Sequence, residues 1–360
     1  MTRKTPLIDR VDIQTVTEEM VRVAFTLARP ERVKVTLRAT AQEATARTVE
    51  VEVVGRVEVR GLAPDTDYQV IVEAGDATHR AGVIHTPPAP QGPCRARFAV
   101  LGDPHISLKP EICAGRLFPE STALLREILH ELAPQRPEFL LMAGDVTNKG
   151  TEEEYRRARE LLAAAPFPVL AVAGDHDCLE DPRRFAEYLG PLRWSRSAAG
   201  FRVIGCHTGA HVLGAEGLAH LRSALAGAGS PVLLLSHMQF LPDDYIIDAD
   251  RAIEDAAPFE RDILPALPPG SIAYIGHKNV AAQCRRGNLL QLNVPQPVQY
   301  SCGYLFVRCH DNGLYHQFQP IFSEILNDVS RRMGNALPER NWHDDYRRGR
   351  GCEQWNFLRR

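Results

Sequence analysis

The sequence has no CxxC pair, no apolar run near the length of a bilayer span and little net charge. Its eight cysteines are scattered, which removes zinc-finger spacing and gives no paired framework. They are expected to be reduced and buried, a disulfide framework being the alternative if the compartment is oxidising. The apolar runs fall well short of the roughly 20 residues that cross a bilayer. The first ten residues, Met1 to Arg10, lack the apolar stretch of a secretory signal, and the expectation is a cytoplasmic protein without a membrane span. A formal net charge of −3 offers no general electrostatic pull toward nucleic acid. There is no GxGxxG and no P-loop, so neither dinucleotide nor Walker-type nucleotide binding has a signature.

What is present suffices for a large core. The chain has 360 residues, 44% hydrophobic and 24% charged, enough for two domains or one large α/β domain. From about residue 8 to 87 it reads as short strands without helices. Val21–Leu27, Val33–Leu37 and Val57–Arg60 alternate apolar and polar, the period of a half-buried strand. Gly61-Leu-Ala-Pro-Asp-Thr-Asp-Tyr68 then places a turn just before a tyrosine at a strand start. That arrangement resembles the tyrosine corner of β-sandwiches, and the segment is similar to a fibronectin type III module. The resemblance implies a packing domain or spacer, with a protein partner as the further expectation.

Pro87-Pro-Ala-Pro-Gln-Gly-Pro93 reads as a stiff, extended linker. Beyond it, apolar runs at Phe98–Leu101, Phe139–Met142, Pro168–Val172, Val203–Ile204, Val232–Leu235 and Ile272–Ile275 alternate with helical stretches. Thr151-Glu-Glu-Glu154 is a capping box, and Asp181-Pro182 signals another helix start closed by Gly190. Asp311-Asn-Gly313 turns a late hairpin. The expected organisation is a β-sandwich over 1–88, a linker over 89–96, a layered α/β domain over 97–321, and a helix with a basic tail over 322–360.

Five short motifs follow these runs: Asp103-Pro-His105, Gly144-Asp145, Gly174-Asp175-His176-Asp177, the lone His237, and Gly276-His277-Lys-Asn279. Ligands in open α/β sheets gather at strand C-termini, and carboxylates with imidazoles there suit divalent cations. Taken singly, Asp103 and Asp145 would serve equally as helix N-caps, and His237 as a core residue. Cys206-His207-Thr208-Gly209 lacks a separate base or oxyanion motif, so a nucleophilic cysteine is not expected.

In this order the motifs resemble the calcineurin-like metallophosphoesterase superfamily, whose pattern is D-x-H, G-D, G-N-H-[D/E], H and G-H-x-H. The resemblance implies an α/β/β/α four-layer sandwich holding two metal ions of manganese, iron or zinc. It implies hydrolysis of a small phosphomonoester or phosphodiester by a metal-bridging hydroxide. Asp103 and His105 would bind the first metal, Asp145 would bridge, and Asp175, His237 and His277 would bind the second. His176 would hold the phosphoryl oxygens and protonate the leaving group, with Asp177 orienting its ring through a hydrogen bond. Asn148 would contact substrate or simply turn the chain, and His207 would line the pocket.

Two positions depart from the pattern. Asp175 stands where asparagine is usual and adds negative charge, and Asn279 stands where the last histidine belongs. Asn279 is then a weaker ligand of the first metal, or a bystander. The alternative reading is a degenerate, low-activity relative that binds metal and phosphate or nucleotide. The acidic insert Leu241–Asp250 argues against a nucleic-acid substrate.

Overall fold

The structure, a computed structural model, describes residues 6–39, 45–51, 53–242, 252–278, 282–336 and 357–359. Most of the acidic insert, Asn279 and the basic run Arg347–Cys352 lie outside the described residues.

Seven antiparallel strands come first: β1 (Ile8–Val16), β2 (Met20–Leu27), β3 (Glu31–Ala39), β4 (Thr45–Val51), β5 (Val54–Arg60), β6 (Asp67–Ala74) and β7 (Ala77–His85). They form two sheets, ordered β1-β2-β5 and β4-β3-β6-β7. Period-two alternation buries Val33, Val35 and Leu37 from one sheet against Val21, Val23 and Phe25 from the other. The Tyr68 hydroxyl accepts the Ala63 N–H at 2.8 Å, five residues upstream at the start of β6. That bond is the tyrosine corner, and the N-terminal unit is a seven-stranded β-sandwich, consistent with the fibronectin-like expectation.

The proline-rich stretch runs along the last hairpin, with Gln91 O accepting from Asp311 N at 3.0 Å and Pro88 O from the Tyr315 hydroxyl at 3.0 Å. Next come β8 (Ala96–Leu101), β9 (Leu140–Met142), β10 (Val169–Ala171), β11 (Trp194–Ala198), β12 (Phe201–Gly205), β13 (Val232–Ser236), β14 (Ser271–Ile275), β15 (Ala282–Arg286), β16 (Leu289–Asn293), β17 (Gly303–His310), β18 (Gly313–Pro320) and β19 (Phe357–Arg359). One six-stranded sheet is ordered β10-β9-β8-β17-β18-β19, the other β11-β12-β13-β14-β16-β15. The register pairs His310 with Gly313, so the β17–β18 turn is the two-residue loop that Asp311-Asn312 signals.

The sheets pack face to face through Phe98, Val100, Leu141, Leu233, Leu235, Ile272 and Tyr274. The opposite face of the first sheet carries Ala99, Leu101, Leu140 and Met142 against α1 (Ser121–Leu132), α2 (Glu152–Ala163) and α3 (Arg183–Tyr188). The outer face of the second packs Leu234 and Ala273 on α4 (Gly214–Leu225) and α5 (Ala256–Asp262). Strand segments buried on both faces must be apolar throughout, which is why Phe98–Leu101 of β8, all of β9, Val232–Leu235 of β13 and Ile272–Ile275 of β14 read as unbroken apolar runs. The result is the expected α/β/β/α layering. At α2, Thr151 Oγ1 accepts the Glu154 N–H while the Glu154 carboxylate accepts the Thr151 N–H, completing the capping box. The last helix among the described residues, α6 (Glu324–Asn335), bonds both to the sandwich, through Arg10, Gln14 and Thr26, and to the α/β unit, through Tyr300 N and Cys302 N.

Candidate metal centre

Strands β8, β9 and β10 are parallel to one another, as are β13 and β14. Their C-terminal ends at Leu101, Met142, Ala171, Ser236 and Ile275 are followed within a few residues by Asp103 and His105, Asp145, Asp175 and His176, His237, and His277. Four of these residues take left-handed backbone: Asp103 (φ 48°), His105 (44°), Asp145 (49°) and His277 (65°). That region costs non-glycine residues about 1–3 kcal/mol and persists only where surroundings enforce it. The glycines before the ligands give the reason for the crowding. A Cβ on Gly174 would stand 2.1 Å from Asp145 Oδ1, and one on Gly276 2.3 Å from Ala143 O and 2.8 Å from Asp103 Oδ2. The loops meet so closely that only bare backbone fits.

Two groups of donor atoms result. Asp145, Asp175, His237 and His277 form one, and His105, Asp145 and His176 form the other, the atoms of each lying within 4.8 Å of one another. Asp145 belongs to both. His237 Nδ1 donates to Ala143 O at 2.9 Å, so its Nε2 faces the cluster, 2.9 Å from Asp175 Oδ1, 3.1 Å from His277 Nδ1 and 3.4 Å from Asp145 Oδ2. His105 Nε2 lies 3.6 Å from Asp145 Oδ2. Asp103 enters neither donor group; both its oxygens accept the His277 N–H at 3.0 Å.

The electrostatics of the cluster are those of a site made for positive charge. Burial, then the carboxylates of Asp145 and Asp175, pushes Asp103 up to about 8. Burial acts the same way on Asp145, yet the adjacent His237 wins and holds it down at about 2. Asp175 is driven far below the carboxylate range because hydrogen bonds from His237 and His277 outweigh its burial. His237 is raised because Asp145 and Asp175 overcome the opposing burial, while His277 is lowered to about 4, chiefly by burial. Burial also keeps His105 neutral, and both its ring nitrogens are buried without a hydrogen-bond partner. An unsatisfied buried imidazole is costly, and a cation beside it supplies the missing partner. The donor set fits divalent metal.

One expectation is corrected by these contacts. Asp177 does not orient the His176 ring. Its carboxylate, fully buried, accepts from Val146 N (3.1 Å), Thr147 N (2.8 Å), Thr147 Oγ1 (2.8 Å) and Gly174 N (2.9 Å). It is a strut joining the loop after β9 to the loop after β10. The His176 ring is held instead by Asn148, whose carbonyl oxygen accepts from Nδ1 at 2.7 Å. Asn148 thus holds the ring through its backbone, and its side-chain amide donates one N–H to Ser107 Oγ at 3.2 Å. Tyr155 of α2 braces the same turn by donating to Asp177 O at 2.7 Å.

Among the described residues no hydrogen bond or ring contact links His207 to the cluster, and its Nδ1 is buried without a partner. Cys206 is buried, which pushes its thiol up to about 12 and leaves it a poor nucleophile. His211, which belongs to none of the five motifs, has its ring 6.1 Å from that of His277. Its position in the loop after β12, at the same sheet edge as the ligands, was the available signal.

Comparison with known proteins agrees with this geometry. Residues 96–263 match the calcineurin-like phosphoesterase family. A stretch of 58 residues is 43% identical to glycerophosphodiester phosphodiesterase GpdQ of Enterobacter lignolyticus, covering 16% of this chain and only 20% of that protein. Over 239 residues the chain is 28% identical to 3',5'-cyclic adenosine monophosphate phosphodiesterase CpdA of Pseudomonas aeruginosa, covering 59% of this chain and 85% of the relative. The fold is shared with a dimetal phosphatase from Danio rerio, at a TM-score of 0.52 and 12% identity over 63% of this chain and 97% of that one. The match takes in the loops from Asp103 to His237, so the domain that carries the cluster is similar to the calcineurin-like phosphoesterases.

Proposed function

We propose that the protein is a metal-dependent phosphoric ester hydrolase acting on a small phosphodiester or phosphomonoester at a two-cation centre. The observation that carries this reading is the sharing of Asp145 by both donor groups. In it, one cation is held by Asp145, Asp175, His237 and His277, and the other by His105 and Asp145. Asp103 serves this second cation with the lone pairs left beyond its bonds to His277 N–H. Bound cations of this kind neutralise phosphoryl charge and lower the pKa of water.

The chain's own residues supply the rest. His176 stands beside His105, ring centroids 4.7 Å apart. With Nδ1 committed to a carbonyl, which only accepts, proton delivery to a leaving oxygen falls to Nε2. Asp177 holds the Asp145 and His176 loops in register, so the proton donor and the shared carboxylate keep a fixed separation. The relatives named as phosphodiesterases favour a diester substrate.

The test is hydrolysis of bis(4-nitrophenyl) phosphate and 4-nitrophenyl phosphate by manganese-loaded protein. Turnover should vanish with chelator, and His176→Ala should lower kcat by about 10²-fold while metal content holds. Absence of turnover on both esters by the fully loaded protein would overturn the reading in favour of a phosphate-binding relative.

A further inference from the structure

His211 has no part in the site as built so far, yet its loop is fixed with care. Its N–H donates to Thr208 O and its carbonyl accepts from Glu254 N, both at 2.9 Å. Thr208 is tied in turn to the segment bearing His237: its hydroxyl lies 3.0 Å from Ser236 Oγ and accepts the Met238 N–H at 3.0 Å. Asp255 clamps the far side of the loop by accepting Leu213 N and Gly214 N. Held at both ends, His211 adopts a left-handed backbone (φ 64°), like four of the cluster residues. Its ring is half-buried, nearly perpendicular to His277 at 80°, and neither ring nitrogen is hydrogen-bonded among the described residues. An imidazole so placed is preorganised for a partner the protein does not itself provide.

We propose that His211 is a second substrate-contacting imidazole, which donates a hydrogen bond to the bound phosphoryl group from the His277 side. The inference rests on the phosphoester reading above. His176 flanks His105 and His211 flanks His277, and those two ligands belong to different donor groups. The two imidazoles, His176 with its Nε2 unbonded and His211 with both nitrogens unbonded among the described residues, thus stand beside members of different donor groups. A phosphoryl group spreads charge over several oxygens, and two donors hold it more firmly than one.

The experiment uses the manganese-loaded full chain with inorganic phosphate as the probe in calorimetry, and bis(4-nitrophenyl) phosphate in steady-state kinetics. His211→Ala should weaken phosphate binding and raise KM by about tenfold, with metal content and thermal midpoint unchanged. His211→Gln, which keeps an N–H donor, should recover most of that loss. Unchanged phosphate affinity and KM in His211→Ala would overturn the proposal. So would loss of a metal, which would make His211 a ligand, or a fall in thermal midpoint that glutamine does not restore. A wild-type protein that binds phosphate but hydrolyses no ester would defeat the hydrolase reading while the binding comparison still decides for His211. One that does neither overturns both.

Discussion

Asp177 shows how a residue's type can be read correctly and its work misread. An acid beside a histidine invites pairing of the two, and nothing in the linear order discloses three N–H groups and a hydroxyl about 30 positions away in sequence for most of them. Burial, then the charge of Asp145, pushes this carboxyl up to about 6, and the hydrogen bonds from Gly174 and Thr147 act against that rise. Asparagine there would have to turn its NH2 toward N–H donors in either orientation. Asp177→Asn should therefore cost about 1–3 kcal/mol of stability and lower kcat through the displaced loops. Equal denaturation midpoints and equal kcat for variant and wild type would contradict the strut. Asp175 and His237, by contrast, were legible as members of one cluster because the motif order alone places them at one sheet edge. Asp103 was legible only as a resident of that edge, since its bond to the His277 backbone joins residues 174 positions apart.

At the scale of elements, the strands that position the site were the easiest to see. Burial on both faces demands uninterrupted apolar sequence, and the runs within β8, β9, β13 and β14 supply it. Edge strands were harder: β7 (Ala77–His85) is mostly exposed, and β15 (Ala282–Arg286) ends in two exposed arginines. Such segments lack the contrast that marks a strand. The loops between strand and ligand were visible only as Gly-Asp and Gly-His pairs, whose reason is steric. Gly174→Ala would drive a methyl into Asp145 Oδ1, 2.1 Å away, so one of the two must move. The variant should fold with a lowered midpoint and lose metal from both donor groups, because Asp145 belongs to both. Full metal content in that variant would show the loop to be looser than its geometry states.

Across the whole molecule, the sequence concealed the union of sandwich and α/β unit. In β1, Arg10, Asp12 and Gln14 alternate with apolar neighbours, a pattern that reads as a solvent face. All three are buried. Arg10 lies 3.1 Å from Glu324 and 3.7 Å from Asp328 on α6, Gln14 donates to Glu324 at 2.8 Å, and Asp12 accepts from the Tyr300 hydroxyl at 2.7 Å. The polar face of α6, with Glu324, Asn327, Asp328 and Arg331 buried, is the complement of that strand. Polarity here marks an internal interface, and pattern alone cannot separate that from solvent. Arg10→Ala should cost about 3 kcal/mol, since it leaves buried carboxylates short of a partner, and an unchanged unfolding midpoint would contradict this. No helix among the described residues is long and apolar enough to cross a membrane. The central claim is that one chain holds two cations around a shared Asp145, and elemental analysis of protein purified without chelator and resupplied with manganese tests it most directly. The account predicts two metals per chain in the wild type and loss of both in Asp145→Asn. One metal or none in the wild type, or two retained in the variant, would contradict it.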